Sequence, residues 1–155
     1  MKKPIILGLI LLVLDQFTKY LVSTVISYGH FVTMISFFDF FNIVNIRNTG
    51  TAFSMFQGQN FIFSVGIFII LSLITIFFYR SWNKMSKIWQ YSFCLIISGG
   101  IGNLVDRIFR GAVVDFLDFG IGSLRWPSFN IADSCIFIAS CLIIFDILVL
   151  NKQKV

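Results

Sequence analysis

Two mostly apolar runs free of charged residues, Phe61 to Tyr79 and Ile88 to Val105, constrain this chain more than any other feature. A helix needs about 20 mostly apolar residues, with about 17 workable, to cross the hydrocarbon core of a bilayer, and both runs fall in that range. Two further stretches have the length but are interrupted: Pro4 to about Ile26 by Asp15, Gln16 and Lys19, and about Ile131 to Leu150 by Asp133 and Asp146. Composition points the same way, with 57% of the 155 residues hydrophobic and 12% charged, against roughly a quarter charged in a soluble domain. A surface of that kind would associate in water. We therefore expect a membrane α-helical protein with four transmembrane helices, at about 4–26, 61–79, 88–108 and 131–150, in a single domain over 1–155. A cleaved signal peptide is the rival reading of the first stretch, because Lys2 and Lys3 precede the apolar run Ile5 to Leu14. No clear small-x-small cleavage site follows Leu14, and Asp15 and Lys19 keep the spacing of a continuing helix.

The Lys/Arg distribution orients the spans. Four crossings return both termini to one side, where Lys2, Lys3, Arg80, Lys84, Lys87, Lys152 and Lys154 all fall. Both termini should therefore be cytoplasmic. The opposite loops carry Arg47, Arg110 and Arg125 together with most polar motifs. The first of these loops, about 27–60, is too long for a plain connector; Ile35 to Asn48 reads as strand and Asn48-Thr49-Gly50 as a turn. The second, about 109–130, opens with the strand-like Val113 to Phe119 and closes through Gly120, Gly122 and Pro127. These segments predict a small extracytoplasmic β-platform.

Intramembrane polar groups are expensive and mark the places to look for function. Topology puts Asp15, Lys19, Asn103, Asp106, Arg107, Asp115 and Asp133 near one membrane surface, whereas Asp146 lies towards the other and reads as structural. Each has a plain structural role available. Asp15 and Lys19 suit an intrahelical ion pair, with Thr18 bonding back to a carbonyl. Gly99, Asn103 and Asp106 or Arg107 share a helical stripe that would let another helix approach closely. Asn130 and Asp133 suit a capping box at the head of the fourth helix. Asp115 resists such an account: in Val113-Val114-Asp115-Phe116, alternation places it with Val113 and Leu117 and away from Asp118, so it needs a partner, and Asp133 is a candidate.

Composition removes most hydrolytic chemistries. All seven acidic residues are Asp and His30 is the single histidine, so a metalloprotease helix with two His and a Glu is impossible. Cys94, Cys135 and Cys141 lie in apolar stretches without metal-like spacing and read as small core residues. We expect no metal, no cofactor and no disulfide. The net charge of +5 belongs to membrane topology, because the basic residues do not form a nucleic-acid surface. A Ser–Lys pair is formally available in Lys19 and Ser23, but it leaves the Asp cluster without a purpose. Two carboxylates held together share a proton, one acting as base on water and the other as acid.

Five segments in order carry a resemblance. Asp15-Gln16-Phe17-Thr18-Lys19, Arg47-Asn48-Thr49-Gly50-Thr51-Ala52-Phe53-Ser54, Gly99-Gly100-Ile101-Gly102-Asn103-Leu104-Val105-Asp106-Arg107, Gly111-Ala112-Val113-Val114-Asp115-Phe116 and Phe129-Asn130-Ile131-Ala132-Asp133 closely resemble the motif boxes of bacterial lipoprotein signal peptidase, signal peptidase II. The resemblance implies a multi-pass aspartic endopeptidase of the bacterial cytoplasmic (inner) membrane, with its active site near the extracytoplasmic face. It would remove signal peptides from diacylglyceryl-modified prolipoproteins, cutting before the lipidated cysteine. The same resemblance assigns the catalytic pair to Asp115 and Asp133, and gives Asp15, Lys19, Asn48, Gly50, Asn103, Asp106, Arg107, Asn130 and Ala132 substrate-binding or supporting roles. It also implies sensitivity to globomycin-type inhibitors and a short outer helix around Ala52 to Phe56. Thr51 and Ser98 depart from the small residues usual at those positions. Substrate and membrane lipids are the expected partners, around a monomer. The main rival from another class is a small proton-coupled transporter or channel, whose polar residues should be spread through the membrane thickness; a non-catalytic assembly factor would leave the paired carboxylates without a role.

Overall fold

In the computed structural model, residues 2–35, 37–50 and 58–150 are described. Helix α1 runs Lys2–Val25, α2 Asn60–Ser81, α3 Lys87–Arg110 and α4 Ile131–Phe145, the last continued by a single π turn at Asp146–Leu150. Each of the four helical stretches is long and apolar enough to cross a membrane, and each lies close to its expected position. Helix α3 is the hub. Of its span 56% is buried, against 11% to 17% for the other three, because its composition permits close contact where theirs is bulky.

The decisive residues are glycines. A Cβ at Gly99 would stand 2.4 Å from the Ala132 carbonyl oxygen, and one at Gly102 would stand 2.7 Å from Asp15 Oδ2 and 3.2 Å from the Ala132 Cβ. Without side chains there, α1 and α4 approach the α3 backbone directly, as small-residue stripes allow between membrane helices. Farther along α3, towards its N-terminus, Phe78, Trp82, Phe93 and Cys94 form an apolar cluster with α2. At that end Trp89 Nε1 donates to Asp146 at 2.7 Å, so Asp146 ties α4 to the start of α3, in keeping with its expected structural role.

At the opposite end lies the β-platform. Strands β1 (Phe31–Ile35), β2 (Phe41–Asn48), β3 (Val113–Ile121) and β4 (Leu124–Arg125) make one antiparallel sheet in that order. The expected strand from Ile35 to Asn48 is corrected: it is broken by a 3₁₀ turn at Phe37–Asp39, and β1 folds back on β2. Phenylalanines on both sides of Asp39 mask the turn in the sequence. Asp39 makes the reversal with φ 53°, a left-handed conformation that Asp tolerates better than most residues. Gly111, at φ 73°, ends α3 and feeds the chain into β3.

Register matters more than strand count. Ile43 pairs with Leu117 and Ile46 with Asp115, so β2 uses three residues where β3 uses two. That β-bulge flips the alternation of β2. Asn48 thereby comes to the face that carries Asp115, whereas unbroken alternation would have put it with Asn42, which bonds Asp118 at 3.1 Å on the other face.

Candidate active site

The head of α4 is built by its own sequence. Asn130 is the N-cap: its side-chain oxygen accepts from the Asp133 amide at 3.0 Å, and the Asp133 carboxylate accepts from the Asn130 amide at 3.2 Å. The expected capping box is therefore present. It also orients a carboxylate at the positive end of a helix dipole. Asp133 is half-buried and accepts a further hydrogen bond from Asn103 Nδ2 at 2.7 Å.

Asp115 comes from β3 and is only 4% exposed. Its carboxylate accepts from Asn130 Nδ2 at 2.8 Å and from Asn48 Nδ2 at 3.1 Å. One asparagine thus binds both carboxylates, with its amide nitrogen on Asp115 and its backbone on Asp133. Burial pushes the Asp115 carboxyl up to about 7, helped by the negative charge of Asp133 and opposed by the bonds from Asn48 and Asn130 and the charge of Lys19. A carboxyl of this kind holds a proton near neutral pH beside a second carboxylate, the arrangement acid–base hydrolysis requires.

Beneath the pair lies a buried ionic cluster. Lys19 Nζ contacts Asp15 Oδ2 at 2.9 Å, Asn103 Oδ1 at 3.0 Å and Asp106 Oδ2 at 3.1 Å. Asp15 in turn accepts from the Ala132 amide at 2.8 Å, fixing the first turn of α4. Asp106 accepts from the Val114 amide at 3.0 Å, fixing the strand residue before Asp115, and pairs with Arg110. The i, i+4 pair of Asp15 and Lys19 therefore exists and also joins three helices and β3. Lys19 is fully buried and engaged, while Ser23 Oγ bonds the Lys19 carbonyl at 2.7 Å; a Ser–Lys nucleophile has no support.

Arg107 organises the loop that follows β2. Its guanidinium donates to the Gly50 carbonyl and, at 3.0 Å, to Asn60 Oδ1 at the head of α2, with Phe63 under it at 5.6 Å. Gly50 donates to Asn48 Oδ1 at 3.0 Å, so Arg107 acts through the turn on the amide that faces Asp115. Ala132 has a steric role, since its Cβ lies in the space left by Gly102. All eleven residues singled out by the sequence thus occupy one connected region. Asp118 is elsewhere, ion-paired with Arg125 on the opposite face of the sheet.

Sequence reasoning left out Gln16, Asn60 and Arg110. Gln16 donates to Asp15 and to the Gly102 carbonyl at 3.0 Å and accepts from Arg110; its place next to Asp15 was the available signal. Asn60 is a polar residue at the head of an apolar run, a usable sign of a helix-end contact. The expected helix at Ala52 to Phe56 lies outside the described residues, as does Thr51. Ser98 is buried and bonds the Leu95 carbonyl within α3. Among the described residues no group of three or more His, Cys, Asp or Glu could hold a metal ion.

Comparison with known proteins decides the family. Residues 7–149 match the model described as Signal peptidase (SPase) II. The chain belongs to the signal peptidase II family. Named lipoprotein signal peptidases are similar over almost their whole length: that of Borrelia hermsii is 46% identical, with 93% of this chain and 89% of that protein covered. Those of Fusobacterium nucleatum and Syntrophus aciditrophicus are each 41% identical, covering 97% and 99% of this chain and 88% and 99% of the relatives. Two solved structures of bacterial membrane enzymes are similar in fold. One aligns with a TM-score of 0.88 at 33% identity, over 100% of this chain and 93% of its own; the other with 0.81 at 34%, over 96% and 94%. Membership in the signal peptidase II family makes this a multi-pass membrane protease that removes signal peptides from prolipoproteins. The transporter reading has nothing left to explain.

Proposed function

We propose that the protein is an aspartic endopeptidase that cuts diacylglyceryl-modified prolipoproteins just before the lipidated cysteine, with Asp115 and Asp133 as the catalytic pair. The observation that carries this reading is the Asn130 bridge, which ties a buried Asp115 to a half-buried Asp133 at a helix N-terminus, with burial pushing the Asp115 carboxyl up to about 7. In the ground state Asp115 carries the proton and Asp133 is ionised. Asp133 takes a proton from a water whose oxygen attacks the scissile carbonyl carbon, while Asp115 gives its proton to the carbonyl oxygen. In the resulting tetrahedral diol, Asp133 returns its proton to the amide nitrogen, the C–N bond breaks, and one diol hydroxyl gives its proton back to Asp115. Water is consumed and both carboxyl groups end as they began.

Asp15, Lys19, Asn48, Gly50, Asn103, Asp106, Arg107, Asn130 and Ala132 hold these two groups in place. Two features support an active site at the extracytoplasmic face of the bacterial inner membrane. The catalytic pair lies at the sheet end of the bundle, and Lys2, Lys3, Arg80, Lys84 and Lys87 gather at the other end, where positive charge marks the cytoplasmic side. Globomycin-type inhibitors should occupy the same site.

The test is cleavage of a diacylglyceryl-modified prolipoprotein by the purified chain in nanodiscs. Asp115→Asn and Asp133→Asn should each abolish turnover, by roughly 10³-fold or more when half of an acid–base pair is lost, while still binding substrate. Variants that bind and still cut would remove the pair from the mechanism.

A further inference from the structure

Neutralising a buried charge cluster does not require the third bond that Lys19 makes. Asp15 and Asp106 are balanced by Lys19 and Arg110, and an ionic brace would be complete with those contacts. An ammonium has three N–H donors and no acceptor, and Lys19 directs the third to a neutral group, Asn103 Oδ1. That fixes the amide. With its oxygen held by an ammonium, Asn103 can present only its NH₂ to Asp133, as the 2.7 Å contact shows. A flipped amide would place NH₂ against the ammonium and a carbonyl against the carboxylate.

A donor held towards a carboxylate favours its ionised form. Asp115 and Asp133 each accept two amide N–H donors, from Asn48 and Asn130 and from Asn103 and the Asn130 backbone. On that count they are level. The head of α4 favours charge on Asp133, and the amide locked by Lys19 holds one of its two donors in place.

We propose that Lys19 is a positioning residue that, through the locked amide of Asn103, keeps Asp133 as the ionised base and so leaves the shared proton on Asp115. The inference rests on the catalytic pair proposed above. The charged groups facing this path are Asp15 on α1, Asp106, Arg107 and Arg110 on α3, and Asp115 on β3. Arg107 acts electrostatically on Asp106, Asp115 and Asp133, but its hydrogen bonds go to Gly50 and Asn60, so it does not set the direction of the Asn103 amide.

The measurement is the pH profile of kcat/KM for a diacylglyceryl prolipoprotein in nanodiscs. Asn103→Leu removes the donor and leaves the ionic cluster whole. Lys19→Met combined with Asp15→Asn removes the lock without stranding an unpaired buried carboxylate, and Lys19→Leu with Asp15→Asn is the second variant at that position. Each should lower kcat/KM and move the acidic limb upward by about one pH unit, a tenfold change in proton affinity. A role in bracing alone would depress activity equally at every pH. Folded variants with an unmoved acidic limb would overturn the inference, as would a shift in Asn103→Leu without one in the Lys19 variants. Failure of the underlying pair reads differently: Asp115→Asn or Asp133→Asn would still cleave.

Discussion

At the scale of single residues, Asp115 carries a measurable signature. Its carboxyl titrates at about 7 in the fold against 3.8 ordinarily, so the folded protein holds a proton that the unfolded chain releases between those values. A raised carboxyl contributes stability that is fully present below about pH 4 and is lost as pH rises through about 7. Asp115→Asn does not titrate. The difference in Tm between this variant and the native chain, measured in one detergent, should therefore move in the variant's favour from pH 5 to pH 8. A difference independent of pH would show that Asp115 is not held neutral by burial. Asn130 shows why such a residue is hard to weigh in isolation: its side chain caps the head of α4 and bonds the Asp115 carboxylate, while its backbone amide bonds the Asp133 carboxylate.

Between elements, the distance from α3 to α4 is set by glycine. A methyl at Gly99 meets the Ala132 carbonyl oxygen at 2.4 Å and Ile136 Cγ1 at 2.9 Å, and a helix carbonyl cannot retreat without moving its helix. Gly99→Ala should cost about 1–3 kcal/mol, as overpacked contacts do. Because Ala132 precedes Asp133, cleavage should fall further than the loss of folded protein explains. Gly66→Ala is the control, with nothing within 4 Å of its added Cβ and a gain of up to about 1 kcal/mol in helix propensity. Thermal melts and turnover of the two variants side by side would separate local crowding from any general intolerance of alanine. The β-bulge is the second such device, since only the extra residue in β2 brings Asn48 to the face of Asp115.

For the whole molecule, the arrangement is a hub helix with three partners and a sheet at one end. Asp115 and Asp133 sit where helices meet sheet. A substrate anchored in the bilayer by acyl chains and by an apolar signal helix would reach that level already oriented, and orientation can supply much of the barrier reduction. An unlipidated precursor should accordingly be cut far more slowly than the diacylglyceryl form, with kcat/KM falling by at least about tenfold. Equal turnover of the two forms would show that the protein positions the peptide without the lipid.

Much of this is legible in the order of the residues, for physical reasons. Apolar length places the four spans within a few residues, because a bilayer fixes how long a helix must be. The Asn130–Asp133 capping box and the Asp15–Lys19 pair are readable because both are local, governed by spacings of three and four along one helix. The chain reversal at Asp39 is not, since four phenylalanines between Phe37 and Phe41 surround that one polar residue and read as strand. Contacts between distant segments are also invisible there. Lys19 to Asp106, Asn103 to Asp133 and Arg107 to Gly50 depend on how closely helices approach and on a register set by one bulge. The sequence alone determined that the chain spans a membrane and which polar groups it carries there; only tertiary structure decided which of them meet and which way the Asn103 amide faces, because burial and hydrogen-bond direction arise when separate segments close on one another.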